Sequence, residues 1–110
     1  MTFDEYQAKA LTTLLSTNDS FKDLLHGVLG LNGEAGEVAE KLKKIIRDKN
    51  SVVSGADTQE LKKELGDVLW YIAVVAEELG LSLNDVAEAN IAKLADRKNR
   101  NMLQGSGDNR

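Results

Sequence analysis

The chain has 110 residues, with 14 Lys and Arg against 18 Asp and Glu, no cysteine and no proline. That length holds one domain; the missing cysteines exclude disulfides, thiolate metal sites and thiol catalysis and point to a cytoplasmic protein. A net charge of -4 and a pI near 5.0 argue against a nucleic-acid polymer as partner, which would need a basic face.

Abundant Ala, Leu, Glu and Lys without proline predict an all-α fold. The start, Met1-Thr2-Phe3-Asp4-Glu5, has neither the basic nor the apolar region of a leader. A first helix is expected from Thr2, as N-cap with Glu5 in the capping-box position, to about Ser16, with Phe3, Tyr6, Ala10 and Leu14 as its apolar face. Asn18-Asp19-Ser20 forms a loop and supplies the next cap. Phe21 to about Asp48 then reads as one long helix or two abutting ones. Gly27, Gly30, Gly33 and Gly36 lie inside it, each costing about 1 kcal/mol relative to Ala. They imply close helix packing or a break near Leu31-Asn32, and are compatible with backbone approaching a ligand beside Glu34.

Lys49 to Ala56 reads as a polar connector; within it Ser51-Val52-Val53-Ser54 is too short and turn-like for a strand. A third helix is expected from an N-cap at Asp57 or Thr58 to Gly80 as the C′ glycine. Its second half, Val68 to Ala76, is apolar on every side, too short to span a bilayer but needing cover all round. A chain this small has too few other helices for that, which predicts a homo-oligomer with the third helix central to the interface. Ser82-Leu83-Asn84-Asp85 caps a fourth helix reaching about Arg100, with Val86, Ala89, Ile91 and Leu94 as packing residues. Residues 105–110 have the composition of a flexible tail, leaving 1–104 as the domain.

Four carboxylates carry the chemistry. Glu34-Ala35-Gly36-Glu37 and Glu64-Leu65-Gly66-Asp67 each place two acids three residues apart, on one helix face with Cβ atoms about 5 to 6 Å apart. Glu37, Glu40, Lys41 and Lys44 also contain ordinary surface ion pairs, so a single pair of acids would mean little. Asp67, opening onto the apolar stretch, is costly without a cation or partner to receive it. Two facing pairs make an oxygen cage suited to a hard divalent cation, magnesium first and manganese second. A ferritin-like di-iron site needs Glu-x-x-His on two helices, whereas the one histidine, His26, follows no such Glu and reads as a surface or boundary residue.

Two metals in such a cage suit phosphoryl or nucleotidyl transfer to water. Positive donors are available in Lys43, Lys44 and Arg47 on the second helix. Asn90, Lys93 and Arg97 form a stripe on the fourth, which is a phosphate contact or a solvated face. Trp70 and Tyr71, three and four residues past Asp67, either pack in the core or stack on a base.

Gly30-Leu31-Asn32-Gly33-Glu34-Ala35-Gly36-Glu37-Val38-Ala39-Glu40-Lys41, followed by Glu64-Leu65-Gly66-Asp67-Val68-Leu69-Trp70-Tyr71, resembles the MazG-like all-α nucleoside triphosphate pyrophosphohydrolases, whose signature is E-x-x-E, a spacer, then E-x-x-D. The likeness continues through Asn90 to Lys98 and the Gly105 to Arg110 tail. It implies a four- to five-helix bundle that hydrolyses a nucleoside triphosphate between the α and β phosphates with magnesium. By the same resemblance Glu34, Glu37, Glu64 and Asp67 are metal ligands, and Glu34 or Glu37 also activates water. Asn90 and Lys93 contact sugar or phosphates, with Lys44 and Arg97 as further candidates, and the tail folds over bound phosphates. Members form homodimers, or homotetramers built from dimers, with the site at the subunit interface. Near alternatives are dUTP-, dCTP- or phosphoribosyl-ATP-selective relatives; a different class is a helical module that binds nucleotide without turnover.

Overall fold

In the computed structural model all 110 residues are described. They form α1 (Phe3–Leu11), α2 (Ser20–Asp48), α3 (Gly55–Glu78) and α4 (Leu83–Asn99), with no strand. The expected capping box opens α1: Glu5 N–H donates to Thr2 Oγ1 at 3.1 Å and Thr2 N–H to Glu5 Oε2 at 2.7 Å. The helix stops at Leu11 rather than Ser16. Beyond it the Thr12 and Thr13 hydroxyls donate back to the Lys9 and Ala10 carbonyls, a local alternative to further helical turns.

Asp19 caps α2, accepting from Lys22 N–H at 3.0 Å, and α2 then runs unbroken for 29 residues. Its first two glycines are explained by close packing. A Cβ on Gly30 would sit 2.1 Å from Tyr71 Cε1, and one on Gly27 would sit 3.2 Å from Val75 Cγ2. Gly33 and Gly36 meet nothing within 4 Å, so packing inside the protomer gives no reason for them.

The cap of α3 lies earlier than the sequence suggests. Ser54 is the N-cap and Asp57 the third helical residue of a second capping box, its carboxylate also held by Lys49 Nζ at 2.6 Å. Gly80, with φ +70°, ends α3 as expected. Gly80 N–H donates to Glu77 O at 2.9 Å and Leu81 N–H to Ala76 O at 2.8 Å, the paired bonds of a Schellman turn.

α2 and α3 form an antiparallel hairpin. Gly27 faces Val74 and Val75, Gly30 faces Tyr71, and Lys41 reaches Glu60 and Glu64. α1 is tied to the α3–α4 turn by two polar residues. The half of Gln7 that donates reaches Leu81 O at 3.1 Å, its carbonyl accepts from Leu83 N–H at 2.8 Å, and Asp4 accepts from Ser82 Oγ at 2.8 Å. Ala10, Ala73 and Leu83 form the small core, with Tyr6, Trp70 and Ile72 packed around it.

The fold is open. Its radius of gyration is 16.9 Å, against about 13 Å for a compact domain of this size. The apolar stretch of α3 is better covered than its composition implies, with Ala73, Val74 and Ala76 buried and Trp70, Tyr71, Ile72 and Val75 half-buried. The expected packing residues of α4 are instead uncovered: Val86, Ala89, Ile91 and Leu94 are all exposed, as are Phe21, Leu25, Val28 and Leu29 on α2. No helix is long and apolar enough to cross a membrane.

Candidate functional site

Midway along the hairpin, one carboxylate oxygen from each of Glu34, Glu64 and Asp67 lies within 4.8 Å of the others. Helical spacing puts Glu64 and Asp67 on one face of α3, and the antiparallel register brings Glu34 of α2 opposite. Partial burial, then the charges of Asp67, Glu64 and Glu37, push the Glu34 carboxyl above its ordinary range. Glu37, the fourth acid, is exposed one turn further along α2 and outside the trio, though close enough to act on Glu34. Three converging carboxylates with no nitrogen or sulfur donor fit a hard divalent cation.

Two neighbours of the cluster differ from expectation, Lys41 from a surface ion pair within α2 and Tyr6 from a purely apolar role. Lys41 crosses to α3, with its Nζ 3.3 Å from Glu64 Oε1 and 4.0 Å from Glu60 Oε2. Its signal was the seven-residue step from Glu34, two helical turns on the same face. Tyr6, expected only as an apolar-face residue, has its phenol pushed up by burial and then by the Asp67 charge, so α1 also borders the carboxylates.

The remaining candidates are distributed differently. Lys43 and Lys44 pair with Glu40 at 3.0 and 3.7 Å, and Arg47 pairs with Asp48 at 2.7 Å, as ordinary surface ion pairs. Lys44 also borders a groove of about 200 Å³ beside the turn that joins α2 to α3, with Lys41, Asp57 and Glu60. Trp70 donates its indole N–H to Ala10 O and Thr13 Oγ1, both at 3.0 Å. Tyr71 stands edge-on to it with ring centroids 4.9 Å apart and covers Gly30, so helix packing accounts for both aromatics. His26 is exposed.

α4 packs against α1 and α3 and has no Cα within 8 Å of one on α2, the helix that carries Glu34. Asn90 is exposed, Lys93 half-buried and Arg97 buried. Lys93 and Arg97 both hold Asp108 of the tail, at 3.0 and 3.3 Å.

A family model described as the MazG nucleotide pyrophosphohydrolase domain matches residues 23–102. Over 114 aligned residues the chain is 45% identical to the Gene 37 protein of Mycobacterium phage L5, covering 100% of each chain. Over 69 residues it is 39% identical to the uncharacterized protein YvdC of Bacillus subtilis (strain 168), covering 58% of this chain and 65% of that one. No solved structure matches. The matched segment contains both carboxylate pairs and all but the first three residues of the α2–α3 hairpin, and the chain belongs to the MazG nucleotide pyrophosphohydrolase family.

Proposed function

We propose that the chain hydrolyses a nucleoside triphosphate between its α and β phosphates, releasing the monophosphate and pyrophosphate with magnesium as the metal and manganese as a substitute. The observation that carries this reading is the convergence of Glu34, Glu64 and Asp67 in a chain of this family. These three residues would hold the metal, and a rotation of the exposed Glu37 side chain would bring in the fourth carboxylate. A divalent cation held there neutralises charge on the triphosphate and lowers the pKa of an attacking water.

Glu34 is one candidate for receiving the water's proton. Glu37, free of ion pairs, is the other. Lys41 orients Glu64 from the opposite helix. Asn90, Lys93 and Arg97 would bind phosphates and sugar, with Lys44 as a further contact. Helix packing engages both Trp70 and Tyr71, so neither is assigned to the base.

The working unit we propose is a homodimer or a dimer of dimers, in which the α4 stripe of one protomer completes the carboxylate cluster of another. The uncovered apolar residues of α2 and α4, the open protomer and the absence of α2–α4 contact support it.

The test is product analysis over a panel of ribo- and deoxyribonucleoside triphosphates, with magnesium and with chelator. Magnesium-dependent monophosphate and pyrophosphate are expected. Diphosphate and inorganic phosphate would contradict the cleavage site; binding measured by thermal shift without any product would point to a non-catalytic module.

A further inference from the structure

The tail does not trail away from α4. Gly105 and Gly107, with φ of +122° and +85°, take left-handed turns that side chains other than glycine's rarely adopt. They fold the chain back so that Arg110 donates to the carbonyls of Met102, Leu103 and Gly107, and Arg100 Nη2 donates to Arg110 O at 2.9 Å. This closed loop presents Asp108 to α4. Its Oδ1 accepts from Lys93 Nζ at 3.0 Å and from Arg97 Nη2 at 3.3 Å, and Arg97 Nη2 also donates to the Asp108 carbonyl.

Two features mark this place as an anion site rather than a surface ion pair. Arg97 is 5% exposed, a burial that a guanidinium tolerates only with its donors engaged, yet its Nε has no partner. Asp108, by contrast, keeps 79% of its side chain exposed. The cations are built in; the carboxylate is a lightly held occupant that leaves one donor unmet. A tetrahedral phosphate, with more acceptor oxygens than a carboxylate, suits the Lys93 ammonium and the Arg97 fork better.

We propose that Asp108 is a tethered stand-in for a phosphate group, and that a phosphate ligand reaches Lys93 and Arg97 by displacing it, so that the tail acts as a competitive latch. The inference rests on the reading above that Lys93 and Arg97 bind substrate phosphate, and adds how access to them is set. Because the displaced carboxylate is exposed, the latch is weak, worth on the order of threefold to fivefold in phosphate affinity.

The experiment is a calorimetric titration of inorganic pyrophosphate, in chelator, into the full chain and into Asp108→Asn, Lys93→Gln and the Lys93→Gln/Asp108→Asn double variant. Asp108→Asn keeps the shape of the tail and removes the charge, so its binding should tighten by that factor, while Lys93→Gln weakens it and the double variant shows little of the gain. Unchanged or weaker binding by Asp108→Asn overturns the latch, as does no binding by either the full chain or Asp108→Asn. Pyrophosphate release from triphosphates, measured on the same proteins with magnesium, separates the two readings. Tighter binding with no turnover keeps the latch and removes the proposed reaction; normal turnover with unchanged binding does the reverse.

Discussion

The two charged centres of this molecule are built in opposite ways. The acidic one sits in the middle of the α2–α3 hairpin, and each carboxylate is placed by helix geometry: a three-residue step joins Glu64 to Asp67, and antiparallel register brings in Glu34. The basic one sits at the end of α4, where Lys93 and Arg97 are held by a residue from a tail with no regular structure. The first gathers three like charges that Lys41 meets only at Glu64. The second already contains its counter-charge. A site built on long helices is set before any ligand arrives, whereas one filled by a loop is adjustable. That division would suit the proposed reaction, in which a metal centre stays fixed while phosphate contacts exchange.

Removing a carboxylate from the rigid centre should have the largest effect. Glu64→Gln, which keeps size and loses charge, is expected to lower kcat for pyrophosphate release by about a thousandfold, at the upper end of what loss of one electrostatic stabiliser costs. A fall of less than tenfold would remove Glu64 from the chemistry and leave it as the partner of Lys41.

Whether the two centres meet across protomers is open to a mixing experiment. Glu64→Gln and Lys93→Gln proteins, each weakly active alone, are expected to regain about a quarter of the wild-type rate after unfolding and refolding together as a dimer with shared sites. No regain would mean that both centres serve the same protomer or that they do not cooperate.

The rigidity of the hairpin can be probed at its glycines. Gly30→Ala would drive a methyl group into the Tyr71 ring and should destabilise the protein by about 1–3 kcal/mol, read as a Tm lower by several degrees. Gly33→Ala meets no protein atom and should raise Tm, by about 0.5–1 kcal/mol in stability. If backbone approaches a ligand beside Glu34, Gly33→Ala also raises KM; an unchanged KM would remove that role.

The smallest effect is at the turn that joins α2 to α3. Lys49, then the Ser54 capping contacts, lower the Asp57 carboxyl from 3.8 to about 2. A carboxyl with a depressed native pKa contributes stability above its unfolded pKa and loses it as pH falls towards the native one. Asp57→Asn should therefore melt below wild type at neutral pH, and the gap should close between pH 3.8 and about 2. A gap independent of pH would assign the effect to packing rather than charge.

What could be read from the sequence follows the range of the interactions involved. The all-α class, the Thr2–Glu5 box and the Gly80 stop depend on residues within a few positions of each other, and all appear in the structure. The convergence of Glu34 with Glu64 and Asp67 was legible because spacing along each helix is fixed and a hairpin is the simplest way to join them. Tyr6 and Gln7 were not, since their roles depend on α1 meeting residues 60 or more positions away. The α3 cap was misplaced because Ser54 and Asp57 both suit an N-cap, and only the reciprocal bond decides which takes it. Asp108 lay in a stretch of linker composition, and nothing local announces that Arg110 closes the loop behind it.

The most direct measurement is on Asp67→Ala: pyrophosphate release with magnesium, beside thermal unfolding in chelator. If the carboxylates are a metal centre held at a cost to the metal-free fold, turnover is lost while Tm stays level or rises, because repulsion on Glu34 is relieved. Retained turnover, or a Tm several degrees lower without metal, would mean that Asp67 serves the fold and not the reaction.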